Sequence, residues 1–154
     1  MARKPVVTRQ LYECDFALWL DEQARALKER RAAALDWDNL AEEIEGLARS
    51  DRRALRSYLE NVLLHMLEFA YWDAEQERNQ QQWRLHLKDA RRGMAVILED
   101  SPSMASYLAD IFDCGYQAAR GGAETLIGRQ FSENCEWTLE QVRNDDFYPS
   151  ASRR

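Results

Sequence analysis

Proline is rare in this chain, and its spacing constrains the fold more than any other sequence feature. The three prolines stand at positions 5, 102 and 149, so residues 6–101 and 103–148 contain none. Proline interrupts a helix because it lacks the backbone N–H and clashes with the preceding turn. The chain can therefore be helical over nearly its whole length wherever its apolar residues repeat at helical spacing.

Two apolar stripes with helical spacing occupy the first half of the chain. A first helix is expected to begin after Asp15, a good N-cap, and to run to about Ala34. The second stripe keeps phase through Ser50, which favours one long helix, although Ser50 could instead cap a separate helix. The residues expected to face the core are Phe16, Trp19, Leu20, Leu27 and Ala34 in the first stripe and Trp37, Leu40, Ile44, Leu47, Ala48, Leu55, Tyr58, Leu59, Val62, Met66 and Phe69 in the second.

The second half of the chain predicts shorter helices. Residues 73–82 are polar and are expected to form a connection. A helix with one apolar face is expected over 83–97. The next helix is expected to start with Ser101 as N-cap and Pro102 in its first turn, and to end at Gly121–Gly122, which would supply a left-handed C-cap.

A short terminal helix is indicated by Thr138 and Gln141, which have the spacing of a capping box. Together these elements predict an all-α fold, an up-and-down antiparallel bundle of four main helices plus a short C-terminal helix. Residues 15–149 are expected to form this single domain. Residues 1–14 would be an N-terminal arm, and residues 150–154 a disordered tail.

Composition and charge limit the kinds of molecule that the chain is expected to bind. The formal net charge is −6, and basic residues alternate with acids, which argues against nucleic acid as a partner. Weak nucleic-acid binding through the strip Arg49–Arg56 stays open as a second alternative. No secretory signal and no uncharged apolar run of about 18 residues is present, so no membrane partner is expected. Three widely spaced cysteines predict neither a disulfide framework nor a zinc knuckle, which leaves the cytoplasm as the expected location.

Seven short blocks follow one another along the chain: residues 11–19, 39–50, 63–67, 83–84, 100–103, 135–138 and 147–149. In this order they resemble a bacterial family known only as domain of unknown function twenty-nine. The resemblance covers nearly the whole chain. It implies an all-helical bundle of about this length, and it brings no established activity, cofactor or catalytic residue. The chain departs from the family pattern at His86, where a small hydroxyl residue is usual, and at Glu136, where proline is usual.

The two histidines are the first candidates for chemistry. His65 stands three residues before Glu68, and His86 three before Asp89, so on a helix each imidazole shares a face with a carboxylate. These four side chains could hold one metal ion between consecutive helices, in a metal-binding bundle for which hydrolysis is one candidate activity. The competing interpretation is a histidine at the core boundary, hydrogen-bonded to a neighbouring helix. No other cofactor is expected.

Aromatic residues near helix ends are candidates for binding a partner, because such side chains commonly anchor protein interfaces. Tryptophans within the stripes are expected to be core instead. The partner-binding candidates are Tyr71, Trp72, Phe147 and Tyr148.

An acidic cluster at Asp38, Glu42, Glu43 and Glu45 could attract a divalent cation. Charge pairing on a solvated face is the simpler interpretation, since Glu45 stands four residues before Arg49. No catalytic set has recognisable local context. The sequence thus favours a non-enzymatic protein–protein interaction module or homo-oligomer, with the metal-binding bundle as the alternative.

Overall fold

A computed structural model of the chain describes residues 11–150. Over this range every regular element is a helix and no strand occurs, so the predicted all-α class is confirmed. Residues 11–14 are helical, whereas residues 1–10 of the predicted arm and 151–154 of the predicted tail lie outside the described residues. The longer elements are α1 (Phe16–Lys28), α2 (Trp37–Tyr71), α3 (Asp73–Asp100), α4 (Met104–Asp110), α5 (Phe112–Ile127) and α6 (Leu139–Arg143), with one 3₁₀ turn at Ala32–Ala34.

Helix α1 begins where the sequence predicts and ends earlier. The Asp15 side chain accepts a hydrogen bond from the backbone N–H of Leu18 at 3.1 Å, which confirms the N-cap. The end expected near Ala34 is wrong, because Arg30 adopts a left-handed conformation with φ 55°. The backbone N–H of Arg31 then bonds to the carbonyl of Ala26 at 2.9 Å and closes a Schellman-type cap. Such caps are usually made by glycine, so the sequence carries no plain signal for this one.

Helix α2 is continuous over 35 residues, so the preference for one long helix is confirmed. The connection expected over residues 73–82 is wrong. Only Trp72 separates α2 from α3, and α3 is helical from Asp73 onward. The segment is polar, but Glu, Gln and Arg are good helix formers, and Asn79 supports the helix with a 3.0 Å hydrogen bond to Glu75.

The next helix differs from its prediction at both ends. It starts at Met104 instead of after Ser101, and its two segments α4 and α5 meet at Ile111. Gly121 and Gly122 lie within α5, and the left-handed C-cap is Gly128 with φ 77°.

The short terminal helix α6 has the predicted capping box. Thr138 accepts from the backbone N–H of Gln141, and the Gln141 side chain accepts from the backbone N–H of Thr138. Trp137 and Val142 are both buried. Helix α6 is thus stabilised by the capping hydrogen bonds that the sequence indicates.

The described chain divides into two compact units between Arg49 and Ser50, inside the range that the sequence predicts as one domain. The N-terminal unit is an antiparallel hairpin of α1 and the start of α2. Tyr12 donates to Glu43 at 2.6 Å, and the backbone N–H of Asp36 donates to Gln23 at 2.8 Å. The first residues of the hairpin therefore contact its last ones, as two antiparallel helices require. Trp19 is fully buried.

The C-terminal unit is a bundle of the rest of α2 with α3, α4, α5 and α6. The α2 segment and the residue that follows it meet α3 in antiparallel order, with Tyr58 against Gly93 and Trp72 against Trp83. Helix α5 runs parallel to α2, since Leu59 lies against Gly115 and Leu64 against Gly122. The core is formed mainly by Leu55, Leu59, Val62, Leu63, Met66, Leu67, Leu87, Met94, Leu108, Tyr116, Ala119, Ala123, Trp137 and Val142.

Within residues 11–150, no helix combines the length and apolar character needed to cross a membrane.

Candidate functional site

The two histidines lie side by side in the C-terminal unit. His65 on α2 and His86 on α3 have ring centroids 4.9 Å apart, with ring planes inclined by 43°. His65 Nδ1 is 2.6 Å from Oε2 of Glu68, one turn further along α2. Glu68 is only 5% exposed, and the His65 side chain is 18% exposed. We call His65 and His86 the imidazole pair.

The structure brings three of the four predicted metal ligands together and leaves Asp89 apart. His86 and Asp89 are both exposed, and within residues 11–150 Asp89 makes no hydrogen bond or ion pair to either imidazole. No group of three or more His, Cys, Asp or Glu side chains in that range is arranged to hold a metal ion. The four-ligand site stays a prediction, and the observed unit is a carboxylate, an imidazole and a second imidazole.

The four aromatic residues predicted to bind a partner are packed against their own chain. Tyr71 lies 5.2 Å from the Phe131 ring and is hydrogen-bonded to Glu136. Trp72 stacks on Trp83 at 5.9 Å. Tyr148 lies 5.8 Å from Phe69, with the Arg84 guanidinium 4.7 Å from its ring, and Phe147 is half-buried against the core. Their role in binding a partner stays a prediction.

The N-terminal unit instead exposes a set of apolar side chains that the sequence predicts as core. Trp37, Ile44 and Leu47 on α2 are 61%, 66% and 69% exposed, while Leu55 and Leu59 further along the same stripe are fully buried. The expected burial is therefore wrong for the first part of the stripe. Helix α1 exposes three members of its own stripe. We call the six residues the hairpin face: Phe16, Leu20, Leu27, Trp37, Ile44 and Leu47.

Helix geometry places the six residues on one side of the hairpin. On α1, the exposed stripe is rotated by roughly 60° from the buried side marked by Trp19 and Gln23, at 100° per residue. On α2, the exposed stripe is rotated in the same sense by roughly 80° from the side where Asp36 and Glu43 meet α1. Because the two helices run antiparallel, equal senses of rotation turn both stripes toward the same side.

Comparison with known proteins places the chain in a family. The family model described as Domain of unknown function DUF29 matches residues 11–148. The chain belongs to the DUF29 family. The match spans both units and all the helices described above, and it confirms the resemblance carried by the short sequence blocks. No curated protein and no solved structure matches this DUF29 chain.

Charged residues near the start of α2 in the DUF29 chain have partners within the N-terminal unit. Glu45 pairs with Arg49 at 3.4 Å on an exposed surface. Glu43 accepts the Tyr12 hydroxyl, and this bond is the main reason that the pKa of Tyr12 is raised to about 12. The Glu45–Arg49 pair supports charge pairing on a solvated face as the interpretation of the acidic cluster, and Glu43 is engaged by a hydroxyl instead of a cation.

A buried arginine is the feature of the C-terminal unit that sequence reasoning missed. Arg91 is 2% exposed, and its Nε donates to the carbonyl of Val142 at 2.8 Å, which holds α6 against α3. Nη1 is buried with no hydrogen-bond partner, and burial lowers the pKa of the guanidinium. Arg91 also lines a cavity of about 570 Å³ together with Leu139 and Arg143. In the sequence, Arg91 stands four residues after Leu87, at the flank of the apolar stripe, where a long charged side chain is ordinarily expected to reach solvent.

Proposed function

We propose that this DUF29 chain is a non-enzymatic interaction protein that pairs with a second copy of itself through the hairpin face. The observation that carries the proposal is the exposure of six large apolar side chains on one side of a small helical hairpin. Scattered single apolar residues are ordinary on a protein surface, whereas contiguous apolar patches mark interaction sites. A helix stripe of this width normally faces a core, so a partner is needed to complete one.

The hairpin face carries no charge over its whole length. At 100° per residue, Leu40 lies between members of the face on α2, and small residues lie at its margin, Ala24 on α1 and Ala41 and Ala48 on α2. Charged residues are depleted from the centre of protein interfaces, where they would lose their hydration. The face therefore has the composition of an interface centre, and its small alanines would let a second helix approach closely.

The spacing of the α2 stripe favours a second copy as the occupant. Trp37, Leu40, Ile44 and Leu47 follow intervals of three, four and three residues, the apolar spacing of a coiled-coil seam. An antiparallel pair of α2 helices centred on residue 42 would set Trp37 opposite Leu47 of the second copy, and Leu40 opposite Ile44. Each apolar position then meets another one, as a two-fold symmetric interface requires.

The area of the face is close to that of a stable interface. Burying the exposed parts of six large side chains would remove on the order of 100 Å² each, or roughly 600 Å² per copy, against about 800 Å² per partner in a standard interface. Side chains at the margin of the face would contribute the remainder. We expect dissociation in the micromolar range or tighter at this size.

The cytoplasm is proposed as the place where this pairing occurs. Cys14 and Cys114 are exposed free thiols, and Cys135 is a half-buried one. Exposed unpaired thiols suit a reducing compartment, because an oxidising one favours disulfides.

Sedimentation velocity and light scattering of the full chain test the pairing. The unmodified chain is expected to be a dimer at about 100 μM, and Ile44→Glu with Leu47→Glu to be monomeric, since the two carboxylates would be buried without a partner against Leu40 and Trp37 of the second copy. Leu126→Glu on α5 is the matched control, because Leu126 is a similarly exposed apolar residue outside the hairpin face. It should leave the dimer intact, and circular dichroism should show equal helix content in all three proteins.

Two results would overturn the proposal. One is a strictly monomeric unmodified chain at that concentration. The other is a dimer that survives the Ile44 and Leu47 substitutions, which would place the interface on a different surface.

A further inference from the structure

We infer that the imidazole pair binds one transition-metal ion, with Glu68 orienting His65 as a ligand. The site lies within the C-terminal unit, and its argument is independent of self-association through the hairpin face. It differs from the four-ligand site predicted from sequence, because Asp89 takes no part and Glu68 acts on the imidazole instead of on the metal.

The separation of the two rings fits a shared ion. An imidazole nitrogen binds Zn²⁺ at about 2.0–2.1 Å, so two rings on one ion at a near-tetrahedral angle have centres about 5 Å apart. The centroids of His65 and His86 are already 4.9 Å apart. The two imidazoles project from antiparallel neighbouring helices, α2 and α3, which hold the rings beside each other.

Glu68 supplies the feature that distinguishes a ligand histidine from an ordinary one. Its Oε2 lies 2.6 Å from Nδ1 of His65, so in the neutral imidazole Nδ1 carries the proton and donates it to the carboxylate. Nε2 is then left with a free lone pair. Metal-binding histidines commonly donate their other ring N–H to a carboxylate, which fixes the tautomer and makes the ligand more basic. Because Glu68 is buried, water competes little for this bond.

The residues define which ions the site would take. Imidazole nitrogen suits Zn²⁺, Cu²⁺ and Ni²⁺, whereas Mg²⁺ and Ca²⁺ prefer oxygen. No third protein ligand converges here within the described residues, so water or a small exogenous ligand would fill the remaining positions. His86 is exposed, which gives an ion a direct path to the pair.

Calorimetric titration of the full chain with ZnCl₂ and with NiCl₂ tests the site. The protein is prepared without a polyhistidine tag and with Cys14→Ser and Cys114→Ser, because exposed thiols also bind zinc. One ion per chain is expected, with a Kd of about 1–100 μM. His86→Asn should abolish this binding event, and Glu68→Gln should weaken it by about 10–100-fold while the stoichiometry stays at one.

Asp89→Asn is the matched control. Asp89 is an exposed carboxylate three residues from His86. Its substitution by asparagine is expected to leave the metal affinity unchanged within about twofold. A loss of affinity comparable to that of Glu68→Gln would overturn the assignment of Glu68 as the orienting carboxylate.

Proton NMR of the chain with only the two cysteine substitutions provides a readout that does not depend on how the His86 and Glu68 variants fold. The chain has two histidines, so their ring signals are readily separated. Both sets of signals should shift together and saturate at one equivalent of Zn²⁺. A shift of one histidine alone, or no saturable binding below about 1 mM, would overturn the inference.

Discussion

Gly93 on α3 offers the sharpest test of the packing in the C-terminal unit. A Cβ atom added at Gly93 would lie 2.6 Å from Cε1 and 2.7 Å from Cε2 of the Tyr58 ring, and closer still to Cζ. Real Cβ atoms do not approach other heavy atoms so closely, so Gly93→Ala must push the Tyr58 ring away from α3 or separate the two helices. The glycine is thus needed because the ring of Tyr58 lies directly on the α3 backbone.

The expected size of the effect follows from two opposing contributions. Alanine is favoured over glycine inside a helix by about 1 kcal/mol. Overpacking a well-filled contact costs about 1–3 kcal/mol. Gly93→Ala should therefore destabilise the chain by about 0–2 kcal/mol in total, and this sum alone is a weak test. A matched glycine isolates the packing cost.

Gly121 provides that match, since it lies inside α5 and an added Cβ would meet nothing within 4 Å. Gly121→Ala should stabilise the chain by up to about 1 kcal/mol, which corresponds to a rise in Tm of about 2–4 °C for a chain of this size. The two variants should thus differ by about 1–3 kcal/mol in free energy of unfolding. Urea unfolding followed by circular dichroism measures both.

Removing the ring should reverse the sign of the Gly93 effect. In a Tyr58→Ala background the clash is absent, so Gly93→Ala should stabilise the chain about as much as Gly121→Ala does. If Gly93→Ala were as stabilising as Gly121→Ala in the unmodified chain, the packing of Tyr58 on α3 would be refuted. A destabilising Gly121→Ala would instead show that this glycine ends a helix, as the sequence predicts.

Two further predictions concern single residues. Gly128→Ala should destabilise the chain by about 1 kcal/mol in urea unfolding, because Gly128 has φ 77° and a Cβ is unfavourable there; an unchanged midpoint would exclude the left-handed cap. Cys135 should react with iodoacetamide more slowly than exposed Cys14 and Cys114 at pH 8, because burial raises the pKa of its thiol and leaves less thiolate at that pH. Peptide mass spectrometry over a time course measures the order, and equal rates for the three thiols would contradict the burial of Cys135.

Much of the local structure could be predicted from single residues. Asp15 and Thr138 cap helices where their side chains predict it, because an N-cap depends on neighbours within three or four residues. The continuity of α2 follows from a stripe that stays in phase past Ser50. Failures occur where the residue type is ambiguous: Arg30 takes a left-handed conformation usual for glycine, and Gly121 stays helical.

The contact between His65 and His86 could not be predicted from local sequence in the way that the helix caps could. The sequence shows that His65 and Glu68 share a helix face, because that relation is local. Whether His86 meets them depends on the register between α2 and α3, and that register depends on a connection one residue long, Trp72. A ten-residue connection, as the polarity of the segment suggests, would leave that register unspecified. Only the paired helices decide this contact.

Helical periodicity by itself determined that the chain is all-α and which face of each helix is apolar. The tertiary structure decided which of them are covered. Leu55 and Ile44 belong to one stripe on one helix, yet Leu55 is fully buried and Ile44 is exposed. The physical reason is that periodicity records which face of a helix avoids water, whereas burial requires another element to lie against that face.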